Sequence, residues 1–348
     1  MNIEVLVATM KQSDMRKYDE MNLQTDAIIA NQADRYAYQE KMSGESTVRM
    51  ISTTTIGLSR NRNIALSMST GDYIVFADDD LQFIDGYAHI IEREFMEHPE
   101  ADAIKFNLKD ISKRRKISMQ SIEKYERATM LNMGASGVVG LVIKKDVLVR
   151  TNLKFNEQFG AGTENYCGED TIFFHELLKH KVKIFRSPKV IAKIDQTESS
   201  WFEGHNRKYF EVSGKIFATM YPKLSWLIVI RSAYRFSKRA DNNMSFGEIL
   251  RCYFRGIQNN KYEFCSKQHF LYLKGIAIIS VLIAHIGNYS GKTWFTPLGG
   301  IGVAIFLFCS GYGLMSSYSK KGVKSFWKNK LVSIYIPFAI TEIVAAIV

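Results

Sequence analysis

Four short apolar runs, each long enough for one strand, recur through the N-terminal part of the chain. IEVLVA, DAIIAN, VRMIS and YIVFA each read as a β-strand. Between the third and fourth, LSRNRNIALSMST carries Ile64, Leu66 and Met68 on a helix expected to pack on the sheet; Gly71 then turns the chain. Strands alternating with helices predict an α/β unit: a mostly parallel sheet with helices on both faces. Residues 111–170 are less regular, with a basic segment ISKRRKIS, a Gly-rich stretch MGASGVVGLVIKKDVL and a polar loop FNEQFGAGTENYCGED. Beyond them, Phe173, Phe174, Leu177 and Leu178 predict the buried stripe of a helix starting near Glu169. VKIFRSPKVIAKI predicts a pair of strands.

The pattern changes towards the other end. FLYLKGIAIISVLIAHIGNY, LGGIGVAIFLFCSGYGL and LVSIYIPFAITEIVAAIV each approach or reach the roughly 17–25 residues of a membrane-spanning helix. About three transmembrane helices are therefore expected. The first intervening loop holds Lys292; the second holds Lys320, Lys321, Lys324, Lys328 and Lys330. Positive charge marks the cytoplasmic side, which assigns that loop and the large N-terminal part to it. Residues 222–256 combine aromatics with Arg231, Arg235, Lys238, Arg239, Arg251 and Arg255, a pattern that suits a helix at an anionic membrane surface. The expected organisation is a globular domain over 1–225, a basic amphipathic linker over 226–266 and a membrane segment over 267–348.

Composition narrows the class. The 348 residues are 46% hydrophobic and 12% aromatic, which excludes a disordered chain. Cys167, Cys252, Cys265 and Cys309 form no Cys-x-x-Cys pair, so neither a disulfide framework nor a zinc site is indicated. MNIEVLVATMKQ has an apolar run of one strand's length and no basic leader, unlike a signal peptide. The net charge of +11 would suit nucleic acid, but membrane-proximal lysines and arginines account for much of it, and no nucleic-acid partner is expected.

Against that basic background, YIVFADDDL is a local anomaly. Asp78, Asp79 and Asp80 repel one another, and a divalent ion relieves the repulsion. Magnesium or manganese takes hard oxygen ligands, usually one or two carboxylates plus substrate phosphates. The apolar strand before the triplet places it at a sheet's carboxyl edge, where ligands bind in such folds. A turn would need only one of the three acids. In GLSRNRN, Arg60 and Arg62 lie near a helix start that favours anions, and their guanidinium groups can hold phosphate or orient the aspartates, although a solvated basic turn has the same composition. Glu169 and Asp170 open a helix after the loop GAGTENYCG. A carboxylate there can take a proton from an attacking hydroxyl, and helix capping accounts equally well for one of the two.

ATM at residues 8–10, the pair Arg62-Asn63, FADDD, and GED followed by TIFFHELLKHK resemble glycosyltransferase family 2, in the family's order and over roughly residues 1–225. The resemblance implies a GT-A fold, a nucleotide-sugar donor such as a UDP-sugar, a divalent Mn2+ or Mg2+, and inversion at the anomeric carbon. It implies that Thr9 lies near the base, with Arg62 and Asn63 on the donor side. It assigns Asp78 to the nucleotide and metal and Asp80 to the metal, with Asp79 as the alternative in a shifted register. Asp170 becomes the general base and Glu169 positions the acceptor. Many members end the second strand with paired aspartates, whereas this chain has Asn31-Gln32-Ala33-Asp34. Asn31 and Gln32 can hydrogen-bond a base edge, and Asp34 is a substitute acid. His205, in WFEGHNRKY, is a further candidate for metal or phosphate. YLKGIAIISVLIAH, with Lys274 and His285, resembles the start of the membrane acyltransferase-3 family, with lysine where that family normally has arginine. Anchoring is the role expected of this segment.

Together these readings predict sugar transfer to a lipid-linked or surface-polysaccharide hydroxyl at the cytoplasmic face of a bacterial inner membrane. Two alternatives are a two-activity glycosyltransferase and O-acyltransferase, and a non-catalytic glycan-binding module at the membrane.

Overall fold

The computed structural model describes residues 1–112, 121–130, 132–133, 137–195, 204–239, 243–261 and 267–321. Contacts divide the chain into two compact units, Met1–Asn260 and Lys261–Val348.

The first unit is built on a ten-stranded mixed sheet. Its parallel block contains β1 (Ile3–Met10), β2 (Asp26–Gln32), β4 (Ser46–Thr53) and β5 (Tyr73–Asp78). The order β4-β2-β1-β5 matters. The chain winds outward from β1 through β2 to β4, then returns to the other side of β1 as β5. Such a reversal opens a crevice at the carboxyl ends of the two strands flanking it, here β1 and β5. β3 (Ala37–Ser43) pairs antiparallel with β4 and forms the edge. Beyond β5 lie β9 (Leu141–Lys144), antiparallel to both neighbours, then β7 (Ala103–Asp110), β10 (Ile184–Ile194) and β6 (Leu81–Phe83). β8 (Glu126–Arg127) pairs with β10.

Strand alternation sorts the core into two layers. Val5, Val7, Ile29, Val75 and Ala77 pack with Tyr87, Ile91 and Phe95 of α3 (Tyr87–Glu97). Their neighbours Leu6, Ile28, Ile74 and Phe76 face the other way. They meet Ala65 of α2 (Leu58–Met68) and Phe173 and Leu177 of α5 (Glu169–Lys179). The expected α/β sheet, covered on both faces, is therefore present. The short helices α1 (Lys17–Glu20) and α4 (Lys145–Thr151) complete these layers.

Two local expectations are corrected. VKIFRSPKVIAKI forms one strand, β10, whose pairing with β7 shifts register between Arg186 and Ala192. α2 forms as expected, but its buried face consists of Ser59, Asn61, Arg62, Asn63 and Ala65, while Met68 is exposed. Ile64 and Leu66 pack, half-buried, against the same core as Ala65, and hydrogen bonds from the polar residues complete the seating of this helix.

The domain boundary also moves. α6 (Arg207–Met220), α7 (Ser225–Ser237) and α8 (Phe246–Lys261) share an apolar cluster that includes Phe210, Val229, Ala233 and Tyr253. A Cβ at Gly256 would lie 2.0 Å from the Glu211 carbonyl oxygen, so glycine allows the α6 and α8 backbones to touch. α7 and α8, from residue 225 onward, thus pack within the first unit.

The second unit holds α9 (Lys267–Tyr289) and α10 (Thr296–Lys321). Gly302 lets α10 approach the Ala277 carbonyl of α9. Among the described residues one stretch, Thr293–Gly311, is long and apolar enough to cross a membrane; Leu273–Tyr289 is a shorter apolar helix. The third expected span, LVSIYIPFAITEIVAAIV, lies outside the described residues, as does most of ISKRRKIS. Three spans are therefore not established.

Candidate active site

Register brings the candidates to one edge. Thr9 of β1 stands opposite Asn31 of β2, Asn31 opposite Ser52 of β4, and Ala8 opposite Asp78 of β5. The strand ends thus finish level, and Asp79 and Asp80 follow in the turn between β5 and β6. Thr9 Oγ1 donates to Asp79, and Gln12 Nε2 donates to Thr9 Oγ1 at 3.1 Å.

Arg62 organises the centre. It is 4% exposed and is charged against three carboxylates. Nη2 donates to Asp78 Oδ1 at 2.8 Å, Nη1 donates to Asp170 Oδ1 at 2.7 Å, and Glu169 Oε1 lies 3.7 Å from Nη1. Burial opposes the charge, but Asp78, Asp170 and Glu169 outweigh it and hold the guanidinium above its ordinary pKa. Its planar fork, 5.3 Å from the Phe155 ring centre, fits this bidentate task in a way lysine would not. Phe155 in turn stacks on Phe173 at 4.1 Å, which fixes the floor beneath the guanidinium.

Glu169 and Asp170 occupy the first turn of α5, where the helix dipole favours negative charge. Gly168 precedes them at φ +102°, and a Cβ there would meet Ile216 at 2.3 Å. Asp170 Oδ2 accepts from the Val138 backbone N–H at 3.0 Å. With Oδ1 on Arg62 the carboxylate is oriented by two donors, and an ionised carboxylate has about four acceptor positions in all. Glu169 is less open: its side chain lies under Gly160. Burial, then the Asp170 charge, pushes Glu169 above the ordinary carboxylate range despite Arg62.

Asp80 is exposed, yet its pKa is pushed up to about 7 by desolvation from the surrounding chain and then by Asp78, Asp79 and Asp195. A cation would relieve that crowding of charge. Among the described residues no three His, Cys, Asp or Glu side chains converge as a ready cage. The carboxylates fit an ion of the magnesium or manganese type that completes its shell with substrate phosphates.

Other candidates face inward. Asn31 is fully buried; its Nδ2 donates to Ser52 Oγ at 2.9 Å and to the Gln12 carbonyl, and its Oδ1 accepts from Gln12 N–H. Gln32 Oε1 accepts from Gly57 N–H at 2.9 Å, at the α2 N-terminus. Asn63 exchanges two hydrogen bonds with the Phe155 backbone. These three amides hold the loops around the crevice. Asp34 is exposed beyond the end of β2. His205 packs with Tyr209, Phe210 and Phe236, within an aromatic group at α6 and α7.

Sequence reasoning missed Asn61 and Lys105. Asn61 Nδ2 donates to the Thr9 carbonyl at 3.1 Å and the Ala30 carbonyl at 2.7 Å, pinning α2 across the ends of β1 and β2. Lys105 Nζ donates to the carbonyls of Gly137, at 2.9 Å, and Val139, bracing the segment whose Val138 N–H holds Asp170. A lone lysine inside the apolar strand AIKFNL was its signal; Asn61, beside two arginines on a short helix, had none.

Two family models match parts of the chain. Residues 25–142 match glycosyl transferase family 2, and residues 270–348 match the acyltransferase domain. The first match includes Arg62, Asp78–Asp80 and Lys105, and ends before Glu169 and Asp170. A comparison with curated proteins returned no match. Among solved structures, S. aureus TarS aligns at TM-score 0.45 and 13% identity, covering 80% of this chain and 49% of that one, so this chain spans about half of its length. TarS 1–349 gives 0.45 and 13%, covering 93% and 92%. The same fragment in complex with UDP-GlcNAc gives 0.47 and 14%, covering 80% and 81%. The chain thus carries a family 2-like glycosyltransferase domain, followed by a segment that matches the acyltransferase domain.

Proposed function

We propose that the first unit is an inverting, metal-dependent GT-A glycosyltransferase that moves a sugar from a nucleotide-sugar, such as a UDP-sugar, to an acceptor hydroxyl. The observation that carries this reading is the Arg62 clamp, which joins Asp78 on the donor side to Asp170 on the acceptor side. Asp78 and Asp80 would hold the divalent ion, with Asp79 tied back to Thr9. When bound, that ion offsets charge on the leaving diphosphate. Asp170, the more open of the two α5 acids, takes the proton as the acceptor oxygen attacks the anomeric carbon and the bond to the diphosphate breaks. Attack opposite the leaving group inverts the centre. Glu169, drawn inward and raised in pKa, positions the acceptor.

The acceptor class follows from the rest of the chain. An apolar helix of membrane length and the lysine-rich sequence after it support a lipid-linked or surface-glycan acceptor at the cytoplasmic face of a bacterial inner membrane.

The test is nucleotide release from a panel of nucleotide-sugars with and without manganese. Release is expected only with metal and an acceptor. Asp170→Asn keeps the shape of the side chain, but its one carbonyl oxygen can accept from only one of Arg62 and the Val138 N–H, and it takes no proton, so transfer should fall about 100- to 10,000-fold with nucleotide affinity little changed. Glu169→Gln should act mainly on the acceptor KM. An active Asp170→Asn beside a dead Glu169→Gln would exchange the two roles.

A further inference from the structure

α7 is apolar on two faces and only one of them is covered. Ser225, Val229 and Ala233 recur every four residues and are buried. Val229 and Ala233 join the cluster with α6 and α8. One residue further on, about 100° around the helix, Trp226, Ile230 and Tyr234 form a second stripe that is exposed: 50%, 39% and 62%. A further step brings Leu227, Arg231 and Arg235, all in solvent. The helix SWLIVIRSAYRFS contains no acid, and exposed Lys223 and Lys238 flank its two ends.

A soluble helix with one side already packed normally presents polar residues on the other. Here an exposed Trp–Ile–Tyr stripe lies beside a basic stripe. That is the arrangement of a helix lying in a bilayer interface: apolar and aromatic groups enter the acyl boundary while arginines and lysines meet anionic headgroups. Tryptophan and tyrosine suit this depth because each joins an apolar ring to a polar atom. The chain also continues into an apolar helix of membrane length.

We infer that the exposed face of α7 docks on an anionic bilayer surface, as a second membrane contact belonging to the glycosyltransferase unit itself. The contact rests on the membrane tether of the proposed function and is independent of sugar transfer. α7 is fixed to α6 and α8, so docking would hold the sheet edge at a set orientation to the bilayer.

The full chain is reconstituted in nanodiscs of brominated phosphatidylcholine, alone or with phosphatidylglycerol. The fluorescence difference between wild type and Trp226→Phe isolates Trp226. Its signal should be quenched in the anionic discs, little in the zwitterionic ones, and less at high salt. Arg231→Glu with Arg235→Glu, both at exposed positions, should weaken this lipid dependence at least about tenfold while leaving nucleotide release intact. A Trp226 signal unquenched in discs the chain has entered overturns the docking and leaves the tether standing. Equal quenching in both lipids overturns the anionic partner, and shielding of Trp226 that rises with protein concentration in detergent assigns the face to a second copy. A chain that associates with neither lipid overturns docking and tether together.

Discussion

At the scale of single residues, the site is a problem in placing charge. One buried guanidinium faces Asp78, Glu169 and Asp170, and a second buried cation, Lys105, feels the charges of Asp170 and Asp78. Burial lowers the Lys105 pKa from 10.5 to about 8. Below pH 8 native and unfolded chains both hold the proton; between 8 and 10.5 the unfolded chain holds one that the native chain has shed. Stability therefore rises with pH through that window. Relative to Lys105→Met the gain should be at most about 3 kcal/mol, read from urea unfolding across it. A difference that stays flat would mean that the ammonium is not held out of water. Lys105 should also steady Asp170 indirectly, since both its acceptors flank Val138.

At the scale of elements, α2 shows why periodicity alone finds only part of a buried face. Of the expected stripe, Ile64 and Leu66 pack half-buried on the core while Met68 is exposed, and the fully buried side is seated by Asn61, Ser59 and Asn63 on backbone groups of β1, β2 and residues 155–160. A helix that crosses strand ends meets backbone carbonyls, and an amide donates to them where a leucine cannot. Asn61→Ala should leave the Thr9 and Ala30 carbonyls without this donor and cost about 2–4 kcal/mol. The loss would appear as a lower Tm, together with weaker nucleotide binding as Thr9 loosens. Unchanged stability would mean that solvent replaces the amide. The strand β10 is a milder case: the expected pair of strands is one strand, and the sheet absorbs the stretch with Ser187 and Pro188 as a register shift.

At the scale of the whole molecule, the first unit extends beyond the point where the glycosyltransferase resemblance ends. Phe210 of α6 and Tyr253 of α8 are both fully buried, with ring centres 5.3 Å apart. A chain ending at Pro222 would strip α7 and α8 from α6 and expose that cluster, so it should aggregate. A chain ending at Lys261 should remain monodisperse without detergent and bind nucleotide. Size-exclusion profiles of the two pieces decide this, and a well-behaved shorter piece would return α7 and α8 to the status of a linker.

The sequence by itself determined the local matters. It located the parallel strands, since their apolar runs are short and contiguous. It located the acidic chemistry, since Asp78–Asp80 and Glu169-Asp170 are covalent neighbours whose repulsion needs no fold to be recognised. Tertiary structure alone decided what depends on residues far apart in the chain. Arg62 joins carboxylates on two separate elements, Asn31 and Gln32 turn their amides to loops, and the basic segment after Pro222 packs one face of α7 while leaving the other open. Each is settled by which distant backbone or charge a side chain meets once the sheet has formed, and no pattern along the chain encodes that meeting.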